Sequence, residues 1–210
     1  AKKKYGKAYY NLAYMYFTGC GVAKNLKKAI KYHVLSSKKK HPYQAVSVFW
    51  LGYNIYLNQI SGEPNITKGI KFLEKAAKMN LVNAQFLLST YYHKGQIFYK
   101  DQYISKRKLN YIKIKPNKIK SLKYLKLAFK NKFIPANVEL CRRYMFGDGV
   151  RKNVKKSYYY LSSIPNLNNS RMLSEMTLPE KEKIILKKEI IKQKRKIMSL
   201  LKRLEKTRAG

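Results

Sequence analysis

The chain has 210 residues, with 47 lysines and arginines against 10 aspartates and glutamates, and its formal net charge at pH 7 is +37. This excess far exceeds the charge of about 2–8 that keeps a small domain soluble, and its self-repulsion destabilises a compact state unless an anionic partner neutralises it. Apolar residues make up 45% and aromatic residues 13% of the chain, which excludes a disordered basic tail and indicates a folded core.

The scarcity of acidic residues is the informative part of this imbalance. An A/T-rich gene enriches Lys, Asn, Ile and Tyr without selection, but it does not remove Asp and Glu. The composition therefore points to selection for positive potential. It favours nucleic acid as the partner and places an anionic membrane surface second.

One pattern of residues occurs twice along the chain with every offset preserved. The first copy consists of Ala8, Leu12, Ala13, Tyr16, Gly19, Gly21, Val22, Lys28, Ala29 and Tyr32. The second copy consists of Ala136, Leu140, Cys141, Tyr144, Gly147, Gly149, Val150, Lys156, Ser157 and Tyr160. Two weaker copies lie between them, from Ser47 to Ala77 and from Ala84 to Ala128. Such self-similarity is the signature of a repeat architecture.

Each copy predicts a helix, a glycine turn and a second helix. Apolar and small residues recur at helical spacing on one face, and the glycines supply the backbone conformations that end the first helix. One helix pair cannot bury its apolar face alone, so the pairs must stack. The sequence thus predicts an all-α fold, with an α-solenoid of about four helix-turn-helix repeats over residues 1–163.

These motifs resemble those of the Sel-one-like repeat family, a relative of the tetratricopeptide repeats. The match covers about residues 7–163 and is best in the first and fourth copies. The resemblance implies an α-solenoid that usually acts as a protein-binding scaffold, and it implies no chemistry. The surface of such proteins is usually much less basic than this composition requires.

Residues 96–117 form an insertion in the third copy that the other copies lack. Cations alternate there with aromatic and β-branched residues, which is compatible with a short β-hairpin or an extended arm. Lys106, Arg107 and Lys108 could neutralise phosphates while neighbouring aromatic rings stack on unpaired bases. A solvated loop folded back on the solenoid fits equally well.

Residues 164–179 are predicted to be a linker, because Pro and Asn interrupt the pattern there. Residues 180–210 are predicted to form a long basic C-terminal helix with an apolar stripe of roughly heptad spacing. Three interpretations remain open for this helix. It could cap the last repeat, lie on anionic lipid, or contact nucleic acid through its basic faces.

Nothing in the sequence favours catalysis. Cys20 and Cys141 are isolated, the three histidines are scattered, and the two Gly-x-Gly pairs follow helices and lack the ending of a phosphate-binding loop. No apolar run approaches the roughly 20 residues of a membrane span. We therefore predict a non-enzyme without metal or cofactor, without a small-molecule substrate and without a membrane span.

We predict a structural component of a ribosome that binds rRNA through basic surfaces and neighbouring ribosomal proteins through the solenoid. Helical-repeat proteins of this kind resemble lineage-specific subunits of mitochondrial ribosomes, which implies the mitochondrial matrix, with the cytoplasm as the alternative location. The alternative function is a protein-interaction adaptor without a role in nucleic-acid binding. The predicted RNA-binding residues are Lys106, Arg107, Lys108, Arg142, Arg143, Lys187, Lys188, Lys192, Lys194, Arg195, Lys196, Lys202, Arg203, Lys206 and Arg208.

Overall fold

The computed structural model describes residues 4–57, 65–99 and 110–164, together with seven residues between 181 and 195. Eight α-helices, one π-helix and two β-strands lie in these ranges. They are α1 (Lys4–Thr18), α2 (Leu26–Ser37), α3 (Gln44–Trp50), the π-helix (Leu51–Leu57), α4 (Ile66–Lys78), α5 (Val82–Lys94), β1 (Gln96–Tyr99), β2 (Asn110–Lys113), α6 (Lys118–Lys130), α7 (Ile134–Phe146) and α8 (Val154–Ser162).

The helices form the four predicted pairs, which we number as repeats. Repeat 1 is α1 with α2, repeat 2 is α3 and the π-helix with α4, repeat 3 is α5 with α6, and repeat 4 is α7 with α8. The chain divides into two compact units, residues 1–136 and 137–210. The predicted all-α solenoid is confirmed as the fold class.

Small residues face each other where the two helices of a repeat cross. In repeat 3, the Ser121 hydroxyl donates to the Ser89 carbonyl oxygen at 2.7 Å. In repeat 2, a Cβ on Gly52 would lie 3.1 Å from the Gly69 carbonyl oxygen, so any larger residue would push the helices apart. The four pairs at this position are Ala13 and Ala29, Gly52 and Gly69, Ser89 and Ser121, and Cys141 and Ser157.

Cys141 belongs to this crossing point and has a packing role. Its Sγ lies 3.3 Å from the Ser157 hydroxyl, and burial raises the pKa of the Cys141 thiol to about 11, although the hydrogen bond with Ser157 acts in the opposite direction. A thiol of this kind stays protonated at neutral pH and is a poor nucleophile.

The third repeat carries the predicted insertion as an antiparallel hairpin. Strand β1 pairs with β2, with Gln96 opposite Lys113 and Tyr99 opposite Asn110. Ile97 is fully buried and belongs to the hydrophobic core formed with Leu88 and Tyr91. Of the two predicted conformations, the structure therefore shows the β-hairpin. Residues 100–109 lie outside the described residues.

The linker predicted at 164–179 also lies outside the described residues, apart from Ile164. The seven described residues of the C-terminal segment all have helical backbone and are exposed. Ile184 and Ile191, two members of the predicted apolar stripe, are about half exposed. This exposure gives no support to the interpretation in which the stripe packs on the last repeat.

His33 lies at the centre of a buried polar network in the first two repeats. Its Nδ1 is 3.3 Å from the Ser47 hydroxyl, which donates to the Ser36 hydroxyl at 2.8 Å. The imidazole stacks on the Trp50 ring at 4.1 Å between centroids. Burial lowers the pKa of His33 from 6.5 to about 4, so the folded protein keeps this ring neutral.

This burial predicts a pH dependence of stability. Between pH 6.5 and about pH 4 the unfolded chain binds a proton at His33 that the folded chain excludes, so stability falls on acidification through this window. We expect a loss on the order of 3 kcal/mol in the free energy of unfolding. Urea titrations of the wild type and of His33→Gln should show a shallower pH dependence in the variant. Parallel pH profiles would contradict this assignment.

Candidate interaction surface

The structure describes five of the fifteen predicted RNA-binding residues. Lys188, Lys192 and Arg195 are exposed on helical backbone, while Arg142 and Arg143 lie in α7. The other ten fall outside the described residues, and their predicted contacts stay predictions. They are Lys106, Arg107, Lys108, Lys187, Lys194, Lys196, Lys202, Arg203, Lys206 and Arg208.

Arg142 and Arg143 are held by carboxylates of their own repeat. The Nε of Arg142 lies 2.9 Å and the Nε of Arg143 lies 2.7 Å from Glu139 oxygens, and Arg142 also pairs with Asp148 in the turn. The Arg143 side chain is only 2% exposed. Arg143 therefore has almost no accessible surface to offer an RNA phosphate, and we no longer count it among the predicted contacts.

Glu139 owes its charge state to these arginines. Burial by itself would raise the pKa of the Glu139 carboxyl, but hydrogen bonds from Arg142 and Arg143, and their positive charges, bring it below its ordinary value. The pKa of Arg142 is raised, first by its hydrogen bond to Glu139. This cluster fixes the end of α7 and the turn that follows it.

Only three carboxylates occur among the described residues, and each is bound within the protein. Glu139 and Asp148 pair with arginines, and Glu74 accepts a hydrogen bond from the Tyr92 hydroxyl at 3.0 Å. The first acidic residue in the sequence is Glu63. The surface of repeat 1 therefore carries lysines without any acidic residue of that repeat to compensate them.

A lysine occupies the same position at the start of each second helix. An asparagine caps each of these helices and accepts a hydrogen bond from the backbone N–H of the lysine three residues later. All four lysines are exposed. The pairs are Asn25 and Lys28, Asn65 and Lys68, Asn117 and Lys120, and Asn153 and Lys156.

In repeats 1, 3 and 4 this lysine lies over a tyrosine of the first helix. The Nζ to ring-centroid distances are 5.0 Å for Lys28 and Tyr16, 5.2 Å for Lys120 and Tyr92, and 5.7 Å for Lys156 and Tyr144. Each tyrosine also stacks on an aromatic ring of the second helix. The stacked pairs are Tyr16 and Tyr32, Tyr92 and Tyr124, and Tyr144 and Tyr160, at 5.6–6.2 Å between centroids.

The capping asparagine fixes the same tyrosine through the backbone. In repeat 1, the Asn25 N–H donates to the Tyr16 carbonyl oxygen at 2.8 Å, and Asn117 and Asn153 make the equivalent contacts at the same distance. The lysines and tyrosines are repeat positions in the sequence pattern described above, whereas the asparagines are not part of that pattern. The recurring Asn-x-x-Lys spacing was the signal that could have revealed this arrangement.

The described residues offer no other obvious site. No group of three or more His, Cys, Asp or Glu side chains among them is placed to hold a metal ion. Within the same residues, none of the helices combines the length and apolar character that a bilayer crossing requires.

A family model for the Sel1 repeat matches residues 6–41, 45–81, 82–103, 112–132 and 134–163. These segments cover well over half of the chain and coincide with the four helix pairs, the third being split at the insertion. The chain therefore belongs to the Sel1 repeat family. None of the curated proteins matches it in sequence.

Solved structures that share this fold include the following two. A protective antigen of uropathogenic Escherichia coli strains with an SLR fold is 22% identical over 80% of this chain, with a TM-score of 0.63. A Sel1 repeat protein from Oxalobacter formigenes is 21% identical over 75% of this chain, with a TM-score of 0.59. This chain spans 32% and 56% of their lengths. These similarities show the fold, and they give no support to the predicted ribosomal role.

The Glu139 cluster yields a second prediction. In Glu139→Gln the buried Arg143 loses its charged partner, which typically costs about 3–5 kcal/mol. The pKa of Glu139 is depressed in the folded state, so its contribution is present at neutral pH and is lost as pH falls through the folded pKa. Urea unfolding should therefore show a large difference between wild type and variant at pH 7 that narrows as the pH is lowered below the ordinary pKa of a glutamate. A difference that is constant with pH would contradict this account.

Proposed function

We propose that the chain is a non-catalytic protein-interaction adaptor that holds an acidic partner on its repeats. Membership of the Sel1 repeat family supports the role of a non-catalytic adaptor, because these repeats generally build scaffolds and no catalytic family is indicated. The character of the partner follows from charge. With its described carboxylates bound internally, the protein presents a cationic surface that a partner of opposite sign would neutralise.

Sedimentation of the endogenous protein in a density gradient, with and without RNase, tests this function. We expect the protein to migrate in a complex much larger than the free protein, and to stay there after RNase has collapsed the ribosomal subunits in the same lysate. Addition of about 0.5 M salt should release it, because exposed charge pairs are screened. Sedimentation as a monomer before RNase treatment would refute the adaptor.

A second candidate is the predicted ribosomal protein, located in mitochondria or, alternatively, in the cytoplasm. The formal charge of +37 favours it, since contact with rRNA phosphates would neutralise such an excess through counterion release. In that case RNase should shift the protein from the ribosomal fractions to the top of the same gradient. This outcome would favour the ribosomal function over the adaptor function.

The second candidate makes its own quantitative prediction about the C-terminal helix. Replacing Lys188, Lys192 and Arg195 by Gln removes three exposed charges without shortening the chain. If these residues contact RNA phosphates, the slope of log affinity for single-stranded RNA against log salt should become shallower by about 2. A matched variant at Lys38, Lys39 and Lys40 controls for the loss of three charges. Equal slopes for the two variants would mean that Lys188, Lys192 and Arg195 do not contact RNA phosphates.

A further inference from the structure

The ring pair of repeat 3 already binds a carboxylate of the protein itself. Glu74, on α4, accepts a hydrogen bond from the Tyr92 hydroxyl at 3.0 Å. Tyr92 stacks on Tyr124, and the Nζ of Lys120 lies 5.2 Å from the Tyr92 ring centroid. Burial, followed by the charge of Glu74 and its hydrogen bond, raises the pKa of Tyr124 to about 12. In repeat 3 a carboxylate therefore accepts a hydrogen bond from a tyrosine of the stacked pair, and a lysine lies over the ring of that same tyrosine.

Repeat 1 contains the same arrangement, with no carboxylate of the described residues bound to it. Tyr16 and Tyr32 stack at 5.7 Å with only 7° between their ring planes, and the Nζ of Lys28 lies 5.0 Å from the Tyr16 centroid. Both tyrosines are partly exposed and Lys28 is exposed. No described residue forms a hydrogen bond with either hydroxyl, and the sequence before Glu63 contains no acidic residue that could do so.

We propose that the Tyr16, Tyr32 and Lys28 side chains form an anchor for an Asp or Glu carboxylate from an acidic segment of the partner protein. This inference rests on the adaptor function proposed above. The incoming carboxylate takes the place on repeat 1 that Glu74 takes on repeat 3, with the hydroxyls as hydrogen-bond donors and Lys28 as the counter-charge. Charge-assisted hydrogen bonds of this kind are stronger than neutral ones.

The stacking of the rings argues against a nucleic-acid partner at this position. Tyr9 and Tyr16 are seven residues apart on α1, which is about 10.5 Å along the helix axis. Tyr32 stacks with both of them, at 6.2 Å and 5.7 Å, and therefore lies between them. A base has no access to the faces of Tyr32, so the stacking that dominates recognition of unpaired bases is blocked there.

The cations around this site are lysines, since the first arginine of the sequence is Arg107. A lysine ammonium is a compact point charge that pairs with a carboxylate as readily as with a phosphate, so the blocked ring faces, and not the cations, favour a carboxylate here. Lys24, Lys27 and Lys31 are exposed close in sequence to Lys28 and carry further positive charge. They suit a segment with several acidic residues around the anchored one.

The test measures fluorescence anisotropy of a labelled ten-residue glutamate peptide with the full chain at about 0.1 M salt. The Tyr16→Phe/Tyr32→Phe variant keeps both rings and removes both hydroxyls. We expect its affinity for the peptide to fall by at least about tenfold, because the loss of even one of the two hydrogen bonds to a charged group has an effect of that size. The Tyr5→Phe/Tyr14→Phe variant removes two hydroxyls from exposed tyrosines of the same helix and should bind like the wild type.

A second pair of variants tests the lysine. Lys28→Gln should weaken peptide binding more than Lys78→Gln, which removes an equal charge from an exposed site in the last turn of α4. Circular dichroism would establish that all variants keep the helix content of the wild type.

Three results would overturn the anchor. These are a wild type that does not bind the peptide, a Tyr16→Phe/Tyr32→Phe variant with wild-type affinity, and a ten-nucleotide uridine RNA that binds more tightly than the peptide with the same dependence on the hydroxyls. If the anchor proposal fails, the adaptor function can still hold, because the density gradient with RNase tests that function independently of Tyr16, Tyr32 and Lys28.

Discussion

The close approach of two helices within each repeat is the constraint on which the rest of the structure depends. Residues no larger than serine or cysteine meet at the crossing, and in repeat 2 a methyl group on Gly52 would lie only 2.8 Å from the Phe72 Cβ and 3.1 Å from the Gly69 carbonyl oxygen of α4. In repeat 1, the carbonyl of Tyr16 accepts a hydrogen bond from the N–H of Asn25, and the Tyr16 ring stacks on that of Tyr32. The capping asparagine, the stacked rings and the lysine above them depend on the two helices of a repeat lying close together. The repeated surface is therefore a consequence of packing in the core.

The sequence predicts those parts of the fold that repeat. Four helix pairs and the turn glycines of repeats 1 and 4 follow from residue spacing, and the structure has them at those places. The bounds of the insertion in the third copy stay a prediction, of which the structure describes β1 and β2. Spacing did not predict the π-helix from Leu51 to Leu57, since Leu51 and Gly52 follow Ser47 at the same offsets as the matching residues of the α-helical copies. It also did not predict the burial of Arg143, because a cation in a cationic chain looks like surface. Only the position of Glu139, four residues earlier on the same helix, could have indicated the ion pair.

The candidate surface was only partly predictable for an electrostatic reason. Net charge is a sum over the chain, whereas a site depends on where the few opposite charges lie. The three described carboxylates are bound to Arg142, Arg143 and Tyr92, so they stabilise the interior and do not balance the exterior. The composition therefore indicated correctly that the surface is cationic, but it directed attention to runs of basic residues. The regular lysines of the repeats, one at the start of each second helix, have a more defined geometry than those runs.

The position of these lysines is unfavourable for the helices that carry them. The N-terminal end of a helix has a partial positive charge, so an acidic residue in the first turn usually stabilises it, and none of α2, α4, α6 and α8 has one. A lysine there costs roughly 0.3–1 kcal/mol, which a cation–π contact of about 0.5–1 kcal/mol offsets. The tyrosine rings under Lys28, Lys120 and Lys156 thus make a cation tolerable where an anion would be preferred. A carboxylate supplied by a partner would interact favourably with the lysine, the tyrosine hydroxyl and the helix end at once, which gives an acidic polypeptide an advantage over a surface that only carries diffuse negative charge.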